Sequence, residues 1–574
     1  MAQIRLEPFV SAVLDQIPRD RMAQGRAALA AGDPVQAANL FHEATLADPV
    51  NWESRYWLSS ALTAAGEPAL AAQTLDDARN LHATAAIRAA GADMARLRGD
   101  KAYCREIGMK FYAAKLMAAA SVCLGRGLDF DNLEPESFIA YGLALQHQGR
   151  MKEATDVFTA ASELFSDAEA HEFLLYALFH AEDRLQRVLD EGRRWGQLYA
   201  DTAAFPSPEF AVERRADRRL RIGYLGPSFT RNQVAQFIGP VLEAHDPQAV
   251  EVFLYCVDPG FEAALPGHCT ARAIGALDDE AAAAMIRADR IDILVDIWGH
   301  NAGGRLPVFA RRPAPIQIAW INFVQTTGLS CIDYVLHAQS MDAPGTAEAF
   351  CEEIWNLGEI MVPYRPPANR PDLVATPALA RGHVVYGSFN NPAKLSDATV
   401  EAWAKILRAR PQDRLVLKYS YFVDPVLQRA TRARFAGWGA NPDQLEFRGH
   451  TSGLDYLREF QDIDLALDPS PCPGGTTTCD ALANGVPVLT LKGADFYARI
   501  GLPAVLPCGL PELVAESWDD YVAKALDLTA DHAALDALRT RTRQGFDASA
   551  YRDEAGFTRR LEAAYRAMFA RWLA

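Results

Sequence analysis

The sequence predicts an α + α/β protein: an N-terminal helical solenoid followed by two Rossmann-like α/β domains. Three observations predict it. The first 200 residues are rich in alanine and leucine and repeat themselves; beyond residue 219 short apolar runs alternate with helix-like stretches; and from residue 383 that alternation restarts. A chain of 574 residues is too long for one core, and half of its residues are hydrophobic, so several folded domains are expected.

The repeat is explicit. Gly32, Ala37, Phe41 and Ala44 recur 34 positions later as Gly66, Ala71, Leu75 and Ala78. The same offsets return at Gly149, Ala154, Phe158 and Ala161, and a degraded copy starts at Gly99 with Cys104 and Phe111. Small residues sit where two helices cross closely, the aromatic fills the gap to the next unit, and the proline of "ADPVN" (47–51) ends a helix. A period of about 34 residues is that of the tetratricopeptide repeat. Such solenoids present a concave face that binds extended peptides or other proteins. The plainer reading, a helical bundle with chance spacing, does not account for three copies in register. This region is placed at 1–200, and "GRRWGQLYADTAAFPSPEFAVERRADRR" (192–219) loosens into a linker over 201–218.

After the linker, "LRIGYLG" (220–226), "VEVFLYCV" (250–257), "DILVDI" (292–297) and "PIQIAWI" (315–321) read as buried strands, with a helix over 278–289 between them. From 383, "HVVYGSF", "RLVLKY", "LEFRG", "DLALD" and "VPVLTL" alternate with helices over 396–409, 424–437, 453–461 and 476–484. Continuous apolar strands alternating with helices imply parallel sheets covered on both faces. The expected domains are 219–375 and 376–530, both Rossmann-like and facing a cleft, then C-terminal helices over 531–574, including 553–571.

Composition removes several function classes. The N-terminus has no basic start followed by an apolar core, and no run is long enough to span a bilayer, so a soluble, cytoplasmic protein is expected. Nine scattered cysteines with no CxxC pair argue against a disulfide framework or a zinc ribbon. A formal charge of −16 repels a polyanion and excludes nucleic acid as the expected partner. An anionic small substrate then needs positive contacts supplied locally.

Chemistry gathers at the strand ends. In "DPSPCPGGTTTCDALANGVPVLTL" (468–491), Gly474 and Gly475 let the backbone approach a ligand, and Thr476 and Thr477 open a helix. Amides at a helix start, with the positive end of its dipole and two hydroxyls, suit a phosphate or diphosphate; a simple helix cap is the competing reading. No GK[ST] follows, so this is not a Walker loop. "YGSFNNPAKLSDATVEAW" (386–403) puts Asn390, Asn391 and Lys394 on a strand-to-helix loop, with Ser396 or Asp397 as cap. Lys394 is either a cation for a leaving diphosphate or a solvated surface lysine. "FRGHTSGLDYLREF" (447–460) brings Arg448, His450 and Tyr456, an aromatic that stacks on a base or simply packs. "DIWGHNAGGRLPVFARRPAPIQIAWINFVQTTG" (296–328) carries Gly299, His300, Gly303 and Gly304 after one strand and "FVQTTG" after the next.

Taken in order, "LRIGYLGPSF", "DILVDIWGHNAGGRLPVFARRPAPIQIAW", "GSFNNPAKLS", "FRGHT", "LALDPSPCPGGTTTCDAL" and "GVPVLTL" resemble the O-GlcNAc transferase family, over about residues 192–530. Its members are tetratricopeptide-fused protein glycosyltransferases of the GT-B fold. The resemblance implies that Thr476 and Thr477, with Gly474 and Gly475, bind the diphosphate of a UDP-sugar. It places Asp480 at the ribose, Tyr456 beside the nucleoside and Asn391 against the nucleotide. Lys394 matches the lysine that stabilises the departing nucleotide, and His300 the histidine of the bacterial "GHT" loop. It implies inverting transfer to serine or threonine of a protein recruited by the repeats, with a nucleotide-sugar as co-substrate and no cofactor. "DID" (462–464) opens an apolar strand and is given a structural role, so no metal is expected. The chain also departs from the family pattern. "GPSFTRNQVAQF" has Ser228 at the position of an acid and Asn232 at that of a histidine; the later tyrosine–proline–glycine is Phe323, Val324 and Gln325; Gly475 replaces a histidine of the animal enzymes. Asparagine is no general base at neutral pH. Two alternatives follow: a flagellin glycosyltransferase using another donor such as a CMP-nonulosonate, or a non-catalytic repeat adaptor with a relic transferase domain.

Overall fold

The computed structural model describes residues 7–131, 134–181, 184–200, 209–230, 234–258 and 265–574, with side chains from residue 18 onward. Its strands are β1 (Leu220–Gly226), β2 (Val250–Cys256), β3 (Cys269–Ala273), β4 (Ile293–Asp296), β5 (Ile316–Ala319), β6 (Tyr334–His337), β7 (Glu353–Asn356), β8 (Val385–Ser388), β9 (Arg414–Lys418), β10 (Leu445–Arg448), β11 (Leu465–Leu467), β12 (Val488–Leu491) and β13 (Val514–Ala515). The protein is a helical repeat region followed by two Rossmann-like domains with parallel sheets. By contact the chain divides into two compact units, Met1–Ala154 with Ala380–Thr451, and Thr155–Leu379 with Ser452–Ala574.

In the repeats the helices Pro34–Ala47, Pro68–Ala89 and Met151–Phe165 each follow a glycine with positive φ: +81° at Gly32, +83° at Gly66 and +75° at Gly149. Only glycine adopts that conformation without a steric cost, so the glycine of the repeat marks the inter-helix turn. Ala37, Phe41, Ala44, Ala154, Phe158 and Ala161 are wholly buried, as the repeat logic requires. The degraded copy sits differently. Gly99 precedes the helix Lys101–Ala113 and has no positive φ. The in-register turn is Lys115, at φ +63° and 34 residues before Gly149; Ala120 and Leu124 fill its buried slots. A lysine in the left-handed turn hid this copy from the glycine spacing.

The same unit holds β10-β9-β8, all parallel, in that order. The helix Pro425–Gly437 that follows β9 lies on the repeats. Ala430 and Ala433 join the cluster of Tyr56, Leu75 and Ala78, and Val426 packs with Ala83 and Ala118. Ser60 Oγ donates to the Ala433 carbonyl at 2.9 Å, and Asp424 accepts the Ala118 N–H at 2.9 Å.

The second unit contains a seven-stranded sheet in the order β3-β2-β1-β4-β5-β6-β7, parallel throughout. Strand order reverses between β1 and β4, the place where open α/β sheets form a ligand crevice at the carboxyl ends. It also holds β11-β12-β13, again parallel. Its last helix, Glu554–Leu573, returns to the seven-stranded sheet domain. Tyr565 and Tyr224 hydroxyls meet at 3.1 Å, His245 Nδ1 lies 2.9 Å from Glu562, and Phe557 stacks on Trp320. Among the described residues, no helix is long and apolar enough to cross a membrane.

Candidate active site

The glycine loop after β11 is shaped by a residue inside the quoted motif, Asp468. Its buried carboxylate accepts the Gly474 N–H at 2.7 Å and the Thr490 hydroxyl at 3.0 Å, fastening the loop to β12. Gly474 is packed against Asp468, Thr477 and Thr478, so a side chain there would displace all three. Gly475 is the opposite case: it is exposed and faces open space. It is the N-cap of the helix Thr476–Ala483 and contributes no side-chain cap bond. Thr476 and Thr477 are half-buried in the first turn. The N-cap of this helix therefore supplies no side-chain bond to the amides of the first turn, where the positive end of the dipole lies.

One turn along, Asp480 is held by two phenols. Tyr364 donates to one oxygen and Tyr456 to the other, the latter at 3.0 Å. Burial pushes the Asp480 carboxyl up to about 6, against the opposing pull of the two hydroxyls. Tyr456 also packs edge-on against Phe460. Tyr364 was invisible to the sequence reading, because "MVPYRPP" (361–367) carries no motif and lies 116 residues from Asp480.

In the first unit, the loop after β8 is a short 3-10 turn, Pro392–Lys394. Asn391 caps it, its side-chain oxygen accepting the Ala393 N–H at 3.1 Å. Asn390 Nδ2 donates to Ser388 at 3.2 Å, and Ser396, rather than Asp397, caps the next helix through Thr399 N–H. Arg434 ties the turn down by donating to the Leu395 carbonyl at 2.7 Å and to Asp397 at 2.8 Å. Lys394 is thus carried on a rigid turn with its side chain half-exposed. Gly149 of the repeats abuts that turn: a Cβ built on it would lie 3.2 Å from the Pro392 carbonyl oxygen. Lys418, at the end of β9, donates to the Gly449 carbonyl at 2.7 Å and so fixes the loop that carries His450.

His300 is wholly buried in the second unit, between Trp195 and Phe323. Its Nε2 lies 2.7 Å from the Thr327 carbonyl and must be the donor, which leaves Nδ1 unprotonated, buried and without a hydrogen-bond partner among the described residues. Burial lowers its pKa to about 4, so the ring is neutral at pH 7. The bond ties the "GHNAGG" loop to the "FVQTTG" loop. Glu352, also buried, accepts Thr326 Oγ1 at 2.7 Å and Thr327 N–H at 2.7 Å and completes that fastening. Phe323 packs on Phe179 at 5.1 Å between centroids, where a tyrosine–proline–glycine was the family's pattern. Ser228 is buried just beyond β1, and Asn232 lies outside the described residues. Two acids that the sequence reading missed stand near this loop. Asp296 is pushed up to about 7 by burial, and Glu172 to about 8 by burial and by Glu169, Asp167 and Asp296. Of the "DID" acids, Asp464 is buried and accepts Thr376 Oγ1 at 2.7 Å and the Ala378 N–H at 2.9 Å.

Comparison with known proteins bears on this arrangement. The sequence model described as Glycosyl transferase family 41 matches residues 169–360 and 375–561, and a tetratricopeptide-repeat model matches residues 28–95. Proteins named "probable UDP-N-acetylglucosamine–peptide N-acetylglucosaminyltransferase SPINDLY" are similar: that of Hordeum vulgare is 34% identical over 67% of this chain and 42% of its own length. The corresponding protein of Oryza sativa is 35% identical over 68% of this chain and 43% of its own length. The chain thus spans about two fifths of the length of the curated relatives it matches. A solved structure of a mutant O-GlcNAc transferase from Thermobaculum terrenum superposes with a TM-score of 0.75 at 29% identity, covering 98% of both chains. This is the GT-B arrangement of a repeat region and two Rossmann-like domains. A family model that spans most of the chain and an overall fold that agrees with it lead to one conclusion: this protein belongs to glycosyl transferase family 41.

Proposed function

We propose that the chain is an inverting, metal-independent protein O-glycosyltransferase, which moves a sugar from a UDP-linked donor, UDP-N-acetylglucosamine first, to serine or threonine of a protein acceptor. The observation that carries this reading is the start of the helix Thr476–Ala483, whose N-cap, Gly475, has no side chain to bond its amides and faces open space. A diphosphate supplies the acceptor oxygens that Gly475 does not. In this reading Thr476 and Thr477 add hydroxyl donors to the diphosphate, and Asp480 and Tyr456 bind the nucleoside. Asn391 shapes the turn that carries Lys394, and Lys394 takes up the charge of the leaving group. His300, neutral and buried, holds its loop in place rather than exchanging a proton. The acceptor oxygen forms a bond to the anomeric carbon as the bond to the diphosphate breaks. The electron pair departs with the nucleotide, and the hydroxyl proton passes to the departing diphosphate or, through it, to water. Fixed donors aimed at the developing charge lower that barrier without reorganising. The names of the curated relatives support the donor class.

The test is calorimetry of the full chain with UDP, UDP-N-acetylglucosamine and a panel of GDP- and CMP-sugars, followed by intact-mass analysis of acceptor proteins. Binding of UDP and a mass gain from its sugar is the expected result. A second reading is a different sugar, including a CMP-nonulosonate delivered to flagellin. It draws on Phe323, whose packing replaces the family's loop; binding of the CMP-sugar alone would select it. No heat with any donor would leave only a non-catalytic adaptor.

A further inference from the structure

Outside the transferase machinery, the repeats contain a cavity of about 520 Å³ between the helices Pro68–Ala89, Lys101–Ala113 and Met117–Gly127. Three exposed arginines line it, Arg88, Arg98 and Arg126, each from a different element. None of the three has an ion pair or a side-chain hydrogen bond among the described residues. The other charges of the lining are already engaged. Lys101 pairs with Asp129 at 2.7 Å, and Asp100 pairs with Arg96 at 2.6 Å and caps a helix through the Tyr103 N–H. The chain as a whole carries a net charge of −16, whereas this lining gathers three guanidiniums. Its floor is apolar, with Leu97 buried and Met94 half-buried.

We infer that this cavity is a docking site for an acidic peptide segment of a protein partner. Guanidiniums on three separate elements match several carboxylates along an extended chain, each taken in a forked pair of hydrogen bonds. A single inorganic anion occupies only a small part of such a volume. Met94 and Leu97 leave room for the apolar stems of glutamates between the charged contacts. The site does not depend on the proposed transfer reaction.

Fluorescence anisotropy of the full chain with a labelled glutamate-rich peptide, a lysine-rich peptide of equal length and inorganic phosphate as competitor tests it. The glutamate peptide binds, the lysine peptide does not, and affinity falls as salt screens the contact. The double exchange Arg88→Glu with Arg126→Glu weakens binding by about tenfold or more, while Arg19→Glu, elsewhere on the surface, leaves it unchanged. Arg126→Gln alone, a neutral exchange at an exposed position, gives a smaller loss in the same direction should the double variant fail to fold. Equal binding of both peptides, unchanged affinity in the folded variants, or binding of phosphate without binding of the glutamate peptide would overturn the inference.

Discussion

Tyr456 and Asp480, on the helix that follows the glycine loop, are joined by a hydrogen bond of 3.0 Å. Because the carboxyl is buried, its native pKa is about 6 against 3.8 for the free group. Between these values the folded chain keeps a proton that the unfolded chain has released. Stability supplied by this group is therefore present below pH 4 and lost as pH rises through 6. The exchange Asp480→Asn removes the dependence. In urea unfolding across pH 4 to 7, the wild type should lose roughly 2–3 kcal/mol relative to the variant; parallel curves would refute the buried, protonated state.

Lys394→Ala should lower the turnover of sugar transfer by about 100-fold or more while leaving UDP affinity within a few-fold, because in the proposed reaction the lysine acts on charge that appears as the bond breaks. Single-turnover kinetics and calorimetry read the two quantities separately. A variant that loses UDP affinity and turnover equally would make Lys394 a binding residue only.

Gly149 is constrained twice, by its φ of +75° and by the Pro392 carbonyl. Gly149→Ala should cost about 1–2 kcal/mol from the left-handed conformation, and the new Cβ should shift the turn that carries Lys394. Gly149→Asn tolerates that conformation better and regains stability, yet it carries the same Cβ, so transfer stays impaired. If asparagine restored turnover as well, the contact with Pro392 would have no bearing on Lys394.

Removing residues 1–150 should disturb the folding of the sheet that holds β8, β9 and β10. The helix Pro425–Gly437 would lose the partners of Val426, Ala430 and Ala433, and Asp424 would lose the Ala118 N–H. Burying those groups is worth several kcal/mol in sum. The truncated chain is expected to aggregate or to melt without cooperativity, read by gel filtration and near-UV circular dichroism. A soluble, cooperatively melting truncation would show that the repeats are dispensable for folding.

Much of the fold was legible because its signals are local. The apolar runs at 220–226 and 250–257 became β1 and β2 within a residue, and Gly32, Gly66 and Gly149 marked turns that only glycine adopts cheaply. Two strands that escaped notice lack a buried run, β3, "CTARA", a half-exposed edge, and β7, "EIWN"; β6, "YVLH", and the two-residue β13 are buried and were missed as well. The cap at Ser396 could be read from spacing, whereas Tyr364 reaches Asp480 across 116 residues and had no sequence signal. Asp468 could have been found, since it closes a strand and begins the glycine motif. The raised pKa of Asp296 is set by burial, and that of Glu172 by burial and by Glu169, Asp167 and Asp296, which one-dimensional spacing does not encode.

The return of Glu554–Leu573 to Tyr224, His245 and Trp320 fixes the timetable of assembly on the ribosome. The sheet that begins at residue 220 emerges early, with an aromatic flank still wanting its cover. It must wait, exposed to chaperones and to neighbouring nascent chains, until more than three hundred further residues have been translated. Slow codons or a stalled message within that interval would leave a half-closed domain rather than a shorter working one.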